Sequence, residues 1–162
     1  MADGQTTGAG DDGQTVPDDI EFADDEVVPI RELVELYESV NWLRYSTDPD
    51  GLARAVDRST YVVTARDGDG ELVGLVRCLT DDVSILHIQD VLVRPERQRQ
   101  GIGRFLLLVV LQRFRHVRQR VLLTDDEPRQ LAFYRSLGFE NVRDFGPPVV
   151  NAFVQFRPDQ PD

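Results

Sequence analysis

The chain has 162 residues, of which 41% are hydrophobic, and its 29 acidic and 18 basic residues give a formal net charge of -11. This composition excludes a wholly disordered protein, and the length predicts one domain with a tail. The single Cys78 excludes an intramolecular disulfide and a cysteine-rich zinc site. We also expect no bound metal.

Targeting and membrane signals are weak throughout the chain. The longest uninterrupted apolar run, at 105–111, is much shorter than the ~20 residues that span a bilayer. The N-terminal region carries no basic residue before Arg31 and no apolar stretch typical of a signal peptide. We therefore expect a cytoplasmic protein without a membrane partner.

The negative charge is concentrated at the N-terminus. Residues 1–26 contain nine acidic residues and no basic one, which leaves 20 acidic and 18 basic residues over 27–162. Residues 1–17, rich in Asp, Gly, Gln and Thr, are predicted to be a disordered acidic tail, and 18–162 a single domain. The acidic balance argues against a nucleic-acid partner.

The first half of the chain alternates helix and strand patterns. Pro29 and the apolar spacing after it predict a helix over 29–40, and Asp48 followed by Pro49 predicts another that ends near residue 57. The segment 41–47 between them is predicted to be a loop. Apolar, β-branched runs bounded by turn residues predict strands at 20–23, 61–65, 72–79 and 84–93, the last three forming an antiparallel meander.

The hydrophobic period changes after residue 100. The spacing predicts a long helix over 101–117, a short strand at 121–124, a helix over 129–137 and two last strands at 139–142 and 150–156. Together the elements predict an α+β (mixed α/β) sandwich, with a mostly antiparallel central sheet flanked by helices.

The most informative segment joins the strand at 84–93 to the long helix. Pro95 ends the strand, and Gly101 and Gly103 open the helix six and eight residues later. Glycines let a ligand approach the backbone, and the unpaired N–H groups of the first helical turn bind anions such as phosphate. The flanking positive charges are Arg97, Arg99 and Arg104.

Other phosphate-binding motifs fit this segment poorly. A P-loop needs a lysine after its last glycine, and the chain contains no lysine. A dinucleotide fingerprint needs a third glycine at the position of Leu106. The remaining alternative is that Gly101 only turns the chain.

Two motifs resemble those of the GCN5-related N-acetyltransferase (GNAT) family. The run QRQGIG at 98–103 resembles its pyrophosphate loop, and FYRSLGF at 133–139 resembles its second signature. The resemblance implies acetyl-CoA as the acetyl donor and direct acetyl transfer to a primary amine of an unknown acceptor. The implied cofactor loop comprises Gln98, Arg99, Gln100, Gly101, Ile102, Gly103 and Arg104.

The same resemblance implies roles along the preceding strand and in the last helix. The backbones of Leu92 and Val93 would pair with the pantetheine arm, beside a bulge that opens the sheet. Tyr134 would protonate the departing thiolate; its alternative role is that of a core aromatic. Trp42 and Tyr45 would line the acceptor site, or Trp42 would only fill the core.

The general base is left open by the sequence. Asp90 stands just before the run 91–93, near the expected bulge, and its carboxylate is a candidate to accept the amine proton directly or through a water. His87 has a suitable unperturbed pKa, and either residue alternatively has only a structural role.

The remaining expectations concern an alternative function, a basic surface and the oligomeric state. A non-catalytic acyl-CoA-binding or regulatory module is the alternative to an enzyme, and the presence of Tyr134 favours the enzyme. The basic stretch at 113–120 is predicted to be a solvated face that complements the helix C-terminus, and not a nucleic-acid site. Exposed last strands would allow a homodimer.

Overall fold

The computed structural model describes residues 15–24 and 26–156. Most of the predicted tail, residues 1–14, lies outside the described residues, so the domain boundary stays a prediction. The strands are β1 (Glu21–Asp24), β2 (Tyr61–Arg66), β3 (Leu72–Thr80), β4 (Ile85–Val93) and β5 (Gln119–Leu122). The helices are α1 (Ile30–Ser39), α2 (Leu43–Ser46), α3 (Pro49–Asp57), α4 (Ile102–Arg113) and α5 (Pro128–Ser136).

The five strands form one sheet in the order β1-β2-β3-β4-β5. All neighbours are antiparallel except β4 and β5, which are parallel because the α4 crossover connects them. This arrangement confirms the predicted α+β class with a mostly antiparallel central sheet.

Each face of the sheet carries its own apolar core. On one face, α4 packs with Leu106, Leu107 and Val110 against residues such as Val76 and Ile88. On the other face, α1 and α3 contribute a second cluster: Leu33, Leu36, Tyr37, Leu52 and Val56. Burying a Leu side chain of this kind contributes about 1.5–3 kcal/mol, so both helical layers hold the sheet in place.

A bulge in β4 changes which side chains face which core. Arg77 pairs with Asp90 and Cys78 with Ile88, so Gln89 is the extra residue on β4. Ile88 therefore faces α4, whereas Asp90 faces α1. The bulge expected from the family resemblance is present, immediately before Asp90.

The helix starts follow local chemistry that the sequence indicated. The Asp48 carboxylate accepts from the Gly51 N–H at 2.9 Å, and Pro49 occupies the first turn of α3. Gly101 precedes α4 with φ of 80°, a left-handed conformation that favours glycine.

The C-terminal predictions are partly wrong. The structure has no strand at 139–142 or at 150–156; the first region enters a short 3-10 turn, Val142–Asp144, and the second is irregular. Phe139 is partly buried against the α4 core, whereas residues such as Phe153, at 95%, remain exposed, and no strand of the described chain pairs with either region. Strand propensity without a partner ladder did not produce a strand.

Two smaller differences concern helices. The helix α4 ends at Arg113 and not at 117, and the Arg120 guanidinium donates to the carbonyl oxygen of Arg115 at 2.7 Å. The Arg115 carbonyl lies beyond the last helical residue, so the predicted complement to the helix C-terminus stays a prediction. The predicted loop at 41–47 contains the short helix α2.

No helix in the described residues is long and apolar enough to cross a membrane.

Candidate active site

A cleft opens where β4 and β5 separate. The strand β5 pairs with β4 only from Ile85 to Ile88. Among the described residues, the edge of β4 from Gln89 to Val93 therefore has no strand neighbour on this side. The cleft has a volume of ≈ 990 Å³ and is lined by β4, the 98–104 loop region and α5. An unpaired strand edge offers backbone N–H and C=O groups to an extended ligand.

The loop at 98–103 forms one end of the cleft. Arg99 and Gly101 both adopt left-handed backbone conformations, with φ of 60° and 80°. The Gln98 side-chain amide donates to the Val93 carbonyl at 3.0 Å, which joins the loop to the end of β4. Ile102 is buried in the core, so it serves this loop through its backbone.

Gly103 lies close to two elements of the cleft. A Cβ at this position would lie 3.4 Å from Val93 and 3.9 Å from the Phe133 ring. These are ordinary contacts, so the absence of a side chain keeps the space between β4 and α5 open for a ligand.

The three arginines near the loop differ in their partners. Arg97 donates to Asp19 at 3.0 Å and to Asp67 at 3.1 Å, so its charge is compensated by protein carboxylates. Arg104 lines the cleft and donates to the Ser136 hydroxyl at 3.1 Å. Arg99 is exposed and forms no ion pair among the described residues, so its charge is available to an anion.

Leu92 and Val93 differ in the direction of their side chains. Leu92 is buried on the α1 and α3 face, and Val93 packs on the α4 face. Both belong to the part of β4 that β5 leaves unpaired. Val93 lines the cleft, whereas Leu92 is not among the residues that line it. The pantetheine role of both stays a prediction.

Tyr134 lines the cleft from α5. Its ring makes edge contacts with Phe133 and Phe139, at centroid distances of 5.2 and 6.1 Å. Its hydroxyl donates to no other group in the described part of the chain. Burial raises the pKa of Tyr134, so the phenol keeps its proton at neutral pH and is a hydrogen-bond donor.

Asp90 sits at the centre of a buried polar network. Its Oδ2 accepts from the Arg77 guanidinium and from the Tyr37 hydroxyl, the latter at 2.7 Å. Its Oδ1 is 3.5 Å from the Tyr45 hydroxyl. Burial and the Asp90 charge raise the pKa of Tyr37 well above its usual range, so Tyr37 remains a donor.

The remaining predicted residues line the same cleft. Trp42 and Tyr45 stack at a centroid distance of 5.9 Å, and Trp42 is 37% exposed. His87 precedes the bulge and lies on the α1 face of the sheet, like Asp90. The structure therefore brings Trp42, Tyr45, His87, Asp90 and Tyr134 together along one cleft.

Sequence reasoning missed Arg77 and Tyr37 as members of the site. The available signal was a charged residue inside the otherwise apolar run at 72–79, because a charge in a buried strand needs a partner. Within the described ranges, no three side chains of metal-binding type come together. The expected lack of a metal stays a prediction.

The model of the acetyltransferase (GNAT) family matches residues 27–139, which include both the loop at 98–103 and the Tyr134 helix. The chain belongs to the GNAT family of acetyltransferases. The resemblance seen in the two motifs is thereby confirmed, and the chain is an N-acetyltransferase by family.

Similar proteins extend this result. A GNAT family acetyltransferase from Streptococcus pneumoniae TIGR4 shares the fold with a TM-score of 0.74 at 31% identity, over 86% of this chain and 99% of that one. An uncharacterized N-acetyltransferase, ycf52, from Pyropia yezoensis is 27% identical over 75% of this chain and 70% of that protein. A Gibberella zeae protein, named as an acetyltransferase, is 40% identical over 46% of this chain and 43% of that protein.

Proposed function

We propose that this GNAT acetyltransferase moves an acetyl group directly from acetyl-CoA to a primary amine, without an acyl-enzyme intermediate. The observation that carries the proposal is the unpaired edge of β4 beyond Ile88, with the 98–103 loop at one end. GNAT proteins use acetyl-CoA, and the residues at this site fit that donor.

The cofactor loop binds the pyrophosphate in this proposal. The N–H groups at the start of α4 carry a partial positive charge, and Arg99 carries a full one that no described carboxylate compensates. Both therefore attract the negatively charged pyrophosphate. The backbone of Leu92 and Val93 pairs with the pantetheine arm along the open edge of β4. The remaining loop residues are Gln98, Gln100, Gly101, Ile102, Gly103 and Arg104.

Tyr134 acts as the general acid. The departing thiolate needs a proton, and the Tyr134 phenol holds one at neutral pH because burial raises its pKa. Its hydroxyl is not committed to another group in the described chain, so it is free to turn toward the thioester sulfur.

The acceptor side lies against the aromatic pair and Asp90. An alkylammonium with a pKa of ~10.4 must lose a proton before it attacks a thioester. Asp90 is the proposed final acceptor of that proton, because its Oδ1 is not engaged by Arg77 or Tyr37. The rings of Trp42 and Tyr45 offer a surface for the amine substrate.

Cofactor binding is tested by thermal unfolding. We expect acetyl-CoA at 100 times its Kd to stabilise the protein by about 2.7 kcal/mol, and acetylated pantetheine, which lacks the pyrophosphate, to give no comparable shift. The absence of a shift and of calorimetric heat with acetyl-CoA would contradict the proposal.

Chemistry is tested by a screen of amines with detection of the released thiol. We expect turnover with at least one primary amine, and a lower kcat in Tyr134→Phe at unchanged acetyl-CoA affinity. Binding without turnover on any amine would support the non-catalytic module instead. An unchanged kcat in Tyr134→Phe would remove this residue from the acid role.

The other partner predictions are independent of this test. A cytoplasmic location, a homodimer and the lack of a nucleic-acid or membrane partner stay predictions. Sedimentation at two protein concentrations tests the homodimer, and a titration with duplex DNA at low salt tests the nucleic-acid prediction.

A further inference from the structure

We infer that the hydroxyl of Tyr45 carries the proton of the acceptor amine to Asp90, with Arg77 and Tyr37 as positioning residues for the carboxylate. This inference rests on the proposed acetyl transfer, since it specifies how the proton leaves the amine. It assigns Tyr45 a chemical role beyond that of an aromatic wall.

Direct contact between the amine and Asp90 is prevented by burial. The Asp90 side chain is only 1% exposed, although residue 90 borders the cleft. One of its oxygens, Oδ2, already accepts from Arg77 and Tyr37. Only Oδ1 is left for proton transfer, and its neighbour is the Tyr45 hydroxyl at 3.5 Å.

Tyr45 connects this buried oxygen to the cleft. Its residue lines the cleft, and its ring is held between Tyr37 and Trp42 at centroid distances of 4.9 and 5.9 Å. The two ring contacts restrict the ring, so the hydroxyl stays directed at Asp90. A 3.5 Å separation is long for a hydrogen bond, and such catalytic contacts tighten when the substrate binds.

The protonation state of Tyr45 suits a relay. Burial and the Asp90 charge raise the pKa of Tyr45, while Arg77 acts in the opposite direction. A phenol that keeps its proton accepts a hydrogen bond on its oxygen and donates its own proton at the same time. Tyr45 therefore passes a proton on without a phenolate having to persist.

Arg77 and Tyr37 keep Asp90 in place for this transfer. Arg77 is directly opposite Asp90 on β3, and Tyr37 reaches the same oxygen from α1. Both groups are fixed donors, so the carboxylate cannot rotate without leaving a buried donor unpaired. The effect is to direct Oδ1 at Tyr45.

The proton balance is complete without a further reagent. The bound ammonium gives one proton to the Tyr45 oxygen as the Tyr45 proton moves to Asp90 Oδ1. The free amine then forms the C–N bond as the C–S bond of the thioester breaks. Tyr134 donates its proton to the thiolate sulfur and regains one from the acylated nitrogen. After the product leaves, Asp90 returns the proton through the Tyr45 hydroxyl to water in the cleft.

The test replaces only the hydroxyl. Tyr45→Phe keeps the ring contacts, and we expect kcat at pH 7 to fall about 100-fold, the lower range of general acid–base contributions. The KM for the amine should change less than threefold, and the acetyl-CoA affinity and melting temperature should stay the same. A structural role of Tyr45 would instead change melting temperature or KM.

The matched control is Tyr61→Phe. Tyr61 also donates to an aspartate, Asp24, at 3.0 Å, but it lies on β2 and does not line the cleft. We expect its kcat to equal that of the unmodified protein.

The pH profile gives a further readout. In Tyr45→Phe, kcat should rise with pH as hydroxide replaces the lost relay.

Coupling to Asp90 gives the second readout. If Tyr45 acts through Asp90, Tyr45→Phe in an Asp90→Asn background should cause little further loss of kcat. If the two residues act independently, the two fold-losses in kcat should multiply. Should Asp90→Asn be too unstable to purify, the pH profile of Tyr45→Phe alone decides.

Two results would overturn the inference, and each differs from failure of the acetyl transfer itself. An unchanged kcat in Tyr45→Phe, with Tyr134→Phe impaired, refutes the relay and leaves the transferase intact. A multiplicative loss in the double variant also refutes it. By contrast, an unmodified protein that neither binds acetyl-CoA nor turns over any amine refutes the proposed function.

Discussion

The buried ion pair between Arg77 and Asp90 makes a quantitative prediction about stability. The two side chains are 7% and 1% exposed, so water does not screen either charge when its partner is removed. Breaking such a pair costs about 3–5 kcal/mol, because the remaining charge is left uncompensated. We expect Arg77→Met and Asp90→Leu each to lose that much free energy of unfolding.

Removing both charges should cost less than removing either. In Arg77→Met/Asp90→Leu no charge remains buried, and the main penalty is the unpaired hydroxyl of Tyr37, about 1–3 kcal/mol. A loss of 1 kcal/mol lowers the melting temperature of a domain of this size by about 2–4 °C. The single variants, each losing about 3–5 kcal/mol, should therefore melt about 6–20 °C lower than the unmodified protein.

The assay is urea unfolding followed by the fluorescence of Trp42, with circular dichroism as a second probe. Linear extrapolation gives the free energy of unfolding of each variant, and coincident transitions check two-state behaviour. Replacing Tyr37 by Phe in the double variant should recover most of the remaining loss. The reasoning is refuted if the two single losses simply add in the double variant.

Three further predictions concern the backbone and the turns. Gly74→Ala places a Cβ 3.2 Å from the Leu92 carbonyl oxygen and should cost about 1–3 kcal/mol, whereas Gly146→Ala, with nothing within 4 Å, should stay within about 0.5 kcal/mol in chemical unfolding. Arg99 has a left-handed backbone that costs a non-glycine residue roughly 1–2 kcal/mol, and Arg99→Gly removes this cost. Calorimetry should therefore show an unchanged or higher melting temperature but weaker acetyl-CoA binding. A lower melting temperature together with weaker binding would contradict this. Hydrogen bonds from the Ser84 hydroxyl and from backbone N–H groups lower the pKa of Asp81. The stability that its carboxylate contributes is therefore present above about pH 4 and is lost as the pH falls. In acid titration, the free energy of unfolding of Asp81→Asn should decrease less steeply than that of the unmodified protein.

Local chemistry explains what could be predicted from the sequence. The loop at 98–103 and the caps at Asp48 and Gly101 depend on neighbouring residues, so a single sequence is enough to locate them. The predicted strands up to Val93 were confirmed with end shifts of one residue at most, because turn residues bound the apolar, β-branched runs, and β2 and β3 are buried along most of their length.

Partners distant in sequence explain what could not be predicted. The contacts from Tyr37 and Arg77 to Asp90 span 53 and 13 residues, and no local pattern identifies them. The two last strands were predicted from β-branched and aromatic residues alone, yet a strand also needs an adjacent ladder. Residues such as Val150 and Phe153 remain exposed without one.

The Arg77–Asp90 pair also determines how β3 and β4 can align during folding. A shift of β4 by one residue would place Gln89 opposite Arg77 and would move the Asp90 carboxylate to the apolar α4 face. Each unpaired buried ion costs several kcal/mol, so the slipped pairing is disfavoured more strongly than apolar strands alone would disfavour it. The same two charges that would penalise a misaligned sheet therefore ensure that the bulge forms at Gln89, where the cleft begins.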